Sequence, residues 1–96
     1  MEYAGKDYIM IVGESAFFRV YPVKSMDITS YSAYYTLLLN GEILVSNGEV
    51  NNTGSEFKIE LQTAGLKPGN YDVRVFISDP VDGFIEAYRK GFLLEK

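Results

Sequence analysis

Apolar and polar positions alternate along most of this chain with a period of two, and the alternation is broken at intervals by Gly, Pro, Asn and Asp. Successive side chains of a strand point to opposite faces, so each run predicts a half-buried β-strand and each break a turn. The clearest run sets Tyr71, Val73, Val75 and Ile77 on one face and Asp72, Arg74, Phe76 and Ser78 on the other. Just before it lies Leu66-Lys67-Pro68-Gly69-Asn70, where Pro68 and Gly69 mark a tight corner. Phe57, Ile59 and Leu61 alternate with Lys58 and Glu60, which predicts a strand with one wet face. Ala16, Phe18 and Val20 form a third core face; choosing it over Phe17, Arg19 and Tyr21 keeps Arg19 in water, and Pro22 closes the run.

The remaining segments follow the same grammar. Residues 1–7 are polar and carry Gly5, and are expected to be a frayed arm or a first edge strand. Tyr8 to Val12 is a short apolar run stopped by Gly13-Glu14. Val23 to Ser30 reads as a connection, and Tyr31 to Leu39 as the longest strand. In that strand Tyr35, Leu37 and Leu39 alternate with Tyr34, Thr36 and Leu38, so both faces are apolar, as in a central strand or one whose outer face is covered. Asn40-Gly41 predicts a two-residue hairpin with positive φ at both positions, returning through Glu42 to Ser46. Asn47 to Gly54, dense in Asn and Gly, reads as an exposed loop with one short pairing around Val50. Asp79-Pro80-Val81-Asp82-Gly83 predicts a tight loop before a last strand from Phe84 to Leu94, with a bulge at Gly91. The sum is about seven strands in one domain spanning 1–96, the pattern of an antiparallel β-sandwich. Its edges are expected at Tyr8–Val12 and Glu42–Ser46, where unpaired backbone offers a route to partners.

Composition narrows the chemistry more than it names it. The chain has no Cys and no His among 96 residues. That removes disulfide staples, Ser-His-Asp and Cys-His catalysis and the usual zinc ligands, leaving carboxylates as the available acid–base groups. A net charge of −4 with nine scattered Lys and Arg argues against nucleic acid as a partner. No run approaches the roughly 20 apolar residues of a membrane helix, and Met1-Glu2-Tyr3 lacks a secretory signal, so a soluble, unexported chain is expected. Asp79, Asp82 and Glu86 cluster near the last hairpin, but their spacing matches no calcium loop and Asp-Pro and Asp-Gly are ordinary turn chemistry. Asn51-Asn52-Thr53 fits a glycosylation pattern short enough to arise by chance. We assign no metal, no cofactor and no catalytic residue.

Outward aromatics carry the functional content. If the strand at 31–39 neighbours the one at 71–78, Tyr34, Leu38 and Phe76 share an outer sheet face and form a candidate partner surface. The competing reading is that this set is core, since a one-residue slip of register exchanges the faces. Exposed Tyr and Phe with Asn47, Asn51 and Asn52 would alternatively suit a carbohydrate-binding module.

Leu66, Pro68, Gly69 and Tyr71 resemble the tyrosine corner of the fibronectin type III and broader immunoglobulin-like families, although the chain has neither Trp nor a cysteine pair. The order of further motifs resembles the immunoglobulin-like N-terminal domain of phage baseplate and tail proteins: Gly13-Glu14, Asp27-Ile28-Thr29-Ser30 with Ala33, Asn40-Gly41, the corner, and Tyr88 with Phe92. The resemblance runs from about Gly13 to Leu94. It implies an immunoglobulin-like sandwich without chemistry of its own, a virion building block that docks onto a neighbouring protein subunit or joins larger modules. A homo-oligomer, several copies in a ring or array, is expected with it, since weak contacts gain strength by repetition.

Overall fold

The structure is a computed structural model, and it describes residues 2–8, 15–81 and 83–94. Among the described residues eight strands follow one another: β1 (Tyr3–Tyr8), β2 (Ser15–Pro22), β3 (Ser32–Leu39), β4 (Glu42–Glu49), β5 (Asn51–Asn52), β6 (Phe57–Gln62), β7 (Gly69–Asp79) and β8 (Gly83–Leu94). They form two antiparallel four-stranded sheets, ordered β1-β2-β6-β5 and β4-β3-β7-β8. This is an antiparallel β-sandwich in which β4 extends the second sheet beside β3. Of the two readings of the first segment, the described residues show the edge strand, since Tyr3–Tyr8 pair along β2. The expected strand at Tyr8–Val12 and the Gly13-Glu14 pair lie, apart from Tyr8, outside the described residues.

The alternation read from the sequence becomes the core. Ala16, Phe18 and Val20 of β2, Phe57, Ile59 and Leu61 of β6, and Tyr71, Val73, Val75 and Ile77 of β7 are all buried in one cluster with Leu37 and Leu94. Aromatic contacts help bind the two sheets: Phe92 stacks on Tyr71 with ring centroids 5.3 Å apart and lies 6.2 Å from Phe18. Arg19 stays on the outer face, as the choice of core face required.

The corner is tied by two hydrogen bonds to backbone carbonyls. The Tyr71 hydroxyl donates to the Lys67 carbonyl at 2.5 Å, and the Leu66 amide donates to the Thr63 carbonyl at 3.1 Å. Gly69 turns the chain at φ 156°, where an added Cβ would sit 2.7 Å from Leu39 Cδ1. We expect Tyr71→Phe to keep the fold and to cost about 0.5–1.5 kcal/mol in urea unfolding, the net worth of one hydrogen bond. An unchanged unfolding midpoint would contradict a structural role for the hydroxyl.

Asn40 and Gly41 close the hairpin at φ 49° and 86°, the two positive values the primed turn requires. The Asp27-Ile28-Thr29 connection is pinned at both ends: Asp27 Oδ1 accepts from the Thr29 amide at 2.9 Å, while Ile28 is buried and its amide donates to the Gly54 carbonyl. Asn52 holds that connection against β5, donating to the Ile28 and Tyr31 carbonyls at 2.8 and 3.0 Å.

Three expectations are corrected. The return strand of the hairpin runs to Glu49, not Ser46, and absorbs part of the expected loop, because Tyr35 pairs with Gly48 and covers it. The longest strand is β8, with 12 residues, against eight for β3. The bulge of β8 falls at Ala87, where Val75 pairs with Tyr88 but Phe76 with Glu86; Gly91 sits in regular register opposite Asp72.

Candidate interaction surface

The outer face of β4-β3-β7-β8 is built by cross-strand pairing. Tyr34, Thr36 and Leu38 lie opposite Phe76, Arg74 and Asp72, and Phe84, Glu86, Arg89 and Gly91 of β8 lie opposite Ser78, Phe76, Arg74 and Asp72. Tyr34 is thereby stacked on Phe76 at 5.0 Å and meets Phe84 edge-on at 5.1 Å. These three rings form an aromatic patch at one end of the face, outside the core cluster, with Phe84 53% exposed. Leu38 shares the face but is only 6% exposed, so it supports its neighbours rather than offering surface.

Phe84 belongs to this patch because of the Ala87 bulge. One extra residue in β8 lets Ala87 and Tyr88 both pack inward, which shifts the phase of the strand and turns Phe84 and Glu86 to the same side as Arg89. Simple alternation from Arg89 would have put Ile85 there instead. Phe84 was legible as an apolar residue beside a turn, but its facing was not.

A charged band crosses the middle of the face. Arg89 donates through Nε and Nη2 to the two Glu86 oxygens at 2.8 and 3.1 Å, and Arg74 Nη2 lies 3.5 Å from Asp72. The guanidinium of Arg89 holds the Glu86 carboxyl below the usual carboxylate range. Glu86 is therefore committed to an ion pair; Asp82 and the Asp79 side chain lie outside the described residues, so the acid cluster of the last hairpin is not assembled by what the structure describes. Among the described residues no three Asp or Glu side chains are grouped as a metal site would need.

The opposite outer face, on β1-β2-β6-β5, is organised around charge. Arg19 donates through Nε and Nη2 to Glu56 Oε2 at 2.9 and 2.6 Å, and Lys58 approaches the other oxygen at 3.6 Å. The hydrogen bond from Arg19 is the main reason the Glu56 carboxyl sits below its ordinary value of 4.5. A depressed folded-state value means the unfolded chain binds protons first on acidification. The stabilisation is thus complete above about pH 4.5 and lost as pH falls through the folded-state value. In thermal melts from pH 7 to pH 2, Glu56→Gln should flatten the acid limb; a limb as steep as the parent's would contradict this.

Two open concavities flank the sandwich. One of about 420 Å³ is bordered by Asn40, Asn70, Tyr71 and Asp72; the other, of about 490 Å³, by Tyr35, Glu49, Lys58 and Glu60. Glu49 and Glu60 are both exposed to water, whereas acid–base catalysis calls for convergent, desolvated groups. Of the loop amides expected to meet a sugar, Asn52 is consumed: its nitrogen bonds two carbonyls and its oxygen accepts from the Gly54 amide.

No family model matches the chain, and no curated protein and no solved structure matches it. A fold does not by itself assign a function. What the structure shows is the architecture, an antiparallel β-sandwich of two four-stranded sheets.

Proposed function

We propose that this domain is a non-enzymatic structural module that docks onto a protein neighbour through the outer face of β4-β3-β7-β8. The observation that carries this reading is the Tyr34–Phe76–Phe84 patch. Its rings are spent on one another rather than on the core, half of Phe84 faces water, and the Glu86–Arg89 and Asp72–Arg74 pairs border it. An apolar centre with a charged rim is the anatomy of a protein interface. Sugar recognition is disfavoured by the commitment of Asn52, and catalysis by the absence of His and Cys. The finer reading, a virion building block of a tail or baseplate located in the particle, rests on the ordered motifs Asp27-Ile28-Thr29, Asn40-Gly41 and Leu66 to Tyr71 and on their resemblance to phage baseplate domains.

Tyr34→Asp tests the face without touching the core cluster. The parent protein should co-sediment with intact particles from the cells that make it, and the folded variant should remain in the free fraction. Equal incorporation of both would overturn the docking face; absence of the parent from any particle would overturn the virion assignment.

A further inference from the structure

The second sheet ends in an open edge at β8, whose 12 residues pair only with β7 among the described residues. The other edges are poorer templates. β4 is interrupted by two register shifts, β5 has two residues, and β1 has six. Bulges and short strands are the devices that discourage edge-to-edge pairing.

β8 also has a bulge, but it lies near the middle of the strand, and this restricts what can pair there. Ala87 and Tyr88 both face inward, with Phe84, Glu86, Arg89, Gly91 and Leu93 on the outer side and Ile85, Lys90, Phe92 and Leu94 on the inner. Opposed residues of an antiparallel pair must share a face. Consider a second copy of β8 laid against the first, with Ala87 opposite Tyr88 of that copy. Outer residues then meet outer and inner meet inner along the entire strand. A shift of one residue either way sets outward Glu86 against inward Tyr88 or Lys90. The bulge that would spoil the match with a regular strand falls on the two-fold axis, where each copy compensates the other.

That register is also chemically complementary. Glu86 falls opposite Arg89 of the copy, and Arg89 opposite its Glu86, giving two ion pairs. Phe84 falls opposite Gly91 of the copy, whose bare backbone can receive a ring, and diagonal to its Leu93. Phe84 and Leu93 are both more than half exposed and lie at opposite ends of the strand, so antiparallel pairing brings each to the other. Within one chain Glu86 and Arg89 satisfy each other, and on association they exchange partners between copies.

We infer that the protein forms a two-fold dimer by antiparallel pairing of β8 with β8 of a second copy, the axis passing between Ala87 and Tyr88. The two second sheets become one eight-stranded sheet with both aromatic patches on the same side. This goes beyond the docking face, and Tyr34→Asp tests that face separately: it removes a ring contact to Phe84 but leaves Glu86, Arg89 and Leu93, on which the pairing is tested, in place.

Native mass spectrometry of three proteins decides it. The parent should run at twice the 10.8 kDa chain mass. Glu86→Arg sets two cations against each other at both ends of the pairing, and Arg89→Glu sets two anions, so each variant alone should be monomeric. Mixed in equal amounts, each supplies what the other lacks, and a dimer with one chain of each should appear; an ion pair internal to one chain predicts no such rescue. Leu93→Asp, exposed and outside the core, should weaken the parent dimer at least tenfold. A monomeric parent, variants that still dimerise alone, or a mixture that stays monomeric would overturn the inference.

Discussion

Phe57→Ala should cost about 3–5 kcal/mol in equilibrium urea unfolding, the range for emptying a buried aromatic site. Phe57 is fully buried, opens β6 opposite Val20, and sits beside Asn52 of β5, so its ring closes the core where the first sheet is narrowest. Domains of this size are stable by about 5–15 kcal/mol in total, and this one has no disulfide to restrain its unfolded chain. The loss is therefore a large share of the whole, equivalent to a fall in melting temperature on the order of 20 °C. Phe17→Ala is the internal control. Phe17 precedes Phe18 in β2 but faces outward at 47% exposure, and its loss should cost under about 1 kcal/mol. Equal losses for the two would mean that the facing of the first sheet is wrong.

Gly48→Ala should be the most damaging change of a single methyl group. An added Cβ at Gly48 would lie 2.1 Å from Tyr35 Cε1, 2.2 Å from Cζ and 2.4 Å from Cδ1, inside the ring that covers this glycine across β3 and β4. Because the backbone is held by strand pairing, Tyr35 must give way and abandon its place against the core cluster. Overpacking of this kind costs typically 1–3 kcal/mol. Tyr35→Ala alone also destabilises, by losing the ring, but in that background Gly48→Ala should become nearly neutral. Strict additivity in the double-mutant cycle would show that ring and glycine are not in contact. The same geometry recurs between sheets, where Tyr88 covers Gly5 of β1 with only 2.1 Å to an added Cβ.

These two cases mark where the sequence is legible. Contrast between neighbours made β2, β6 and β7 readable: Lys58 between Phe57 and Ile59, or Arg19 between Phe18 and Val20, leaves one choice of inner face. Asn40-Gly41 was readable because few other residues accept positive φ at both turn positions. Gly48 was misread for a related reason. Among Asn47, Gly48 and Asn51 it looks like a loop residue, and only the Tyr35 ring above it explains why it lies in a strand. Gly91 was likewise taken as the site of a bulge that Ala87 in fact provides, and with that bulge the facing of Phe84 was lost. The shared outer face of Tyr34 and Phe76 was legible, but no pattern in the chain shows that Leu38 lies beneath its neighbours or that Phe84 joins the two rings. Long-range packing decides both, and local alternation carries no record of it.

The claim on which the functional account rests is that this domain works by contact through one face. Hydroxyl-radical footprinting of the isolated protein and of the protein within its native assembly tests it most directly. Tyr34, which lies on β3 away from the paired edge, should be labelled in isolation and protected in the assembly, while Phe17, on the opposite outer face, stays labelled in both. Equal labelling of Tyr34 in the two states, or protection at Phe17 alone, would contradict it.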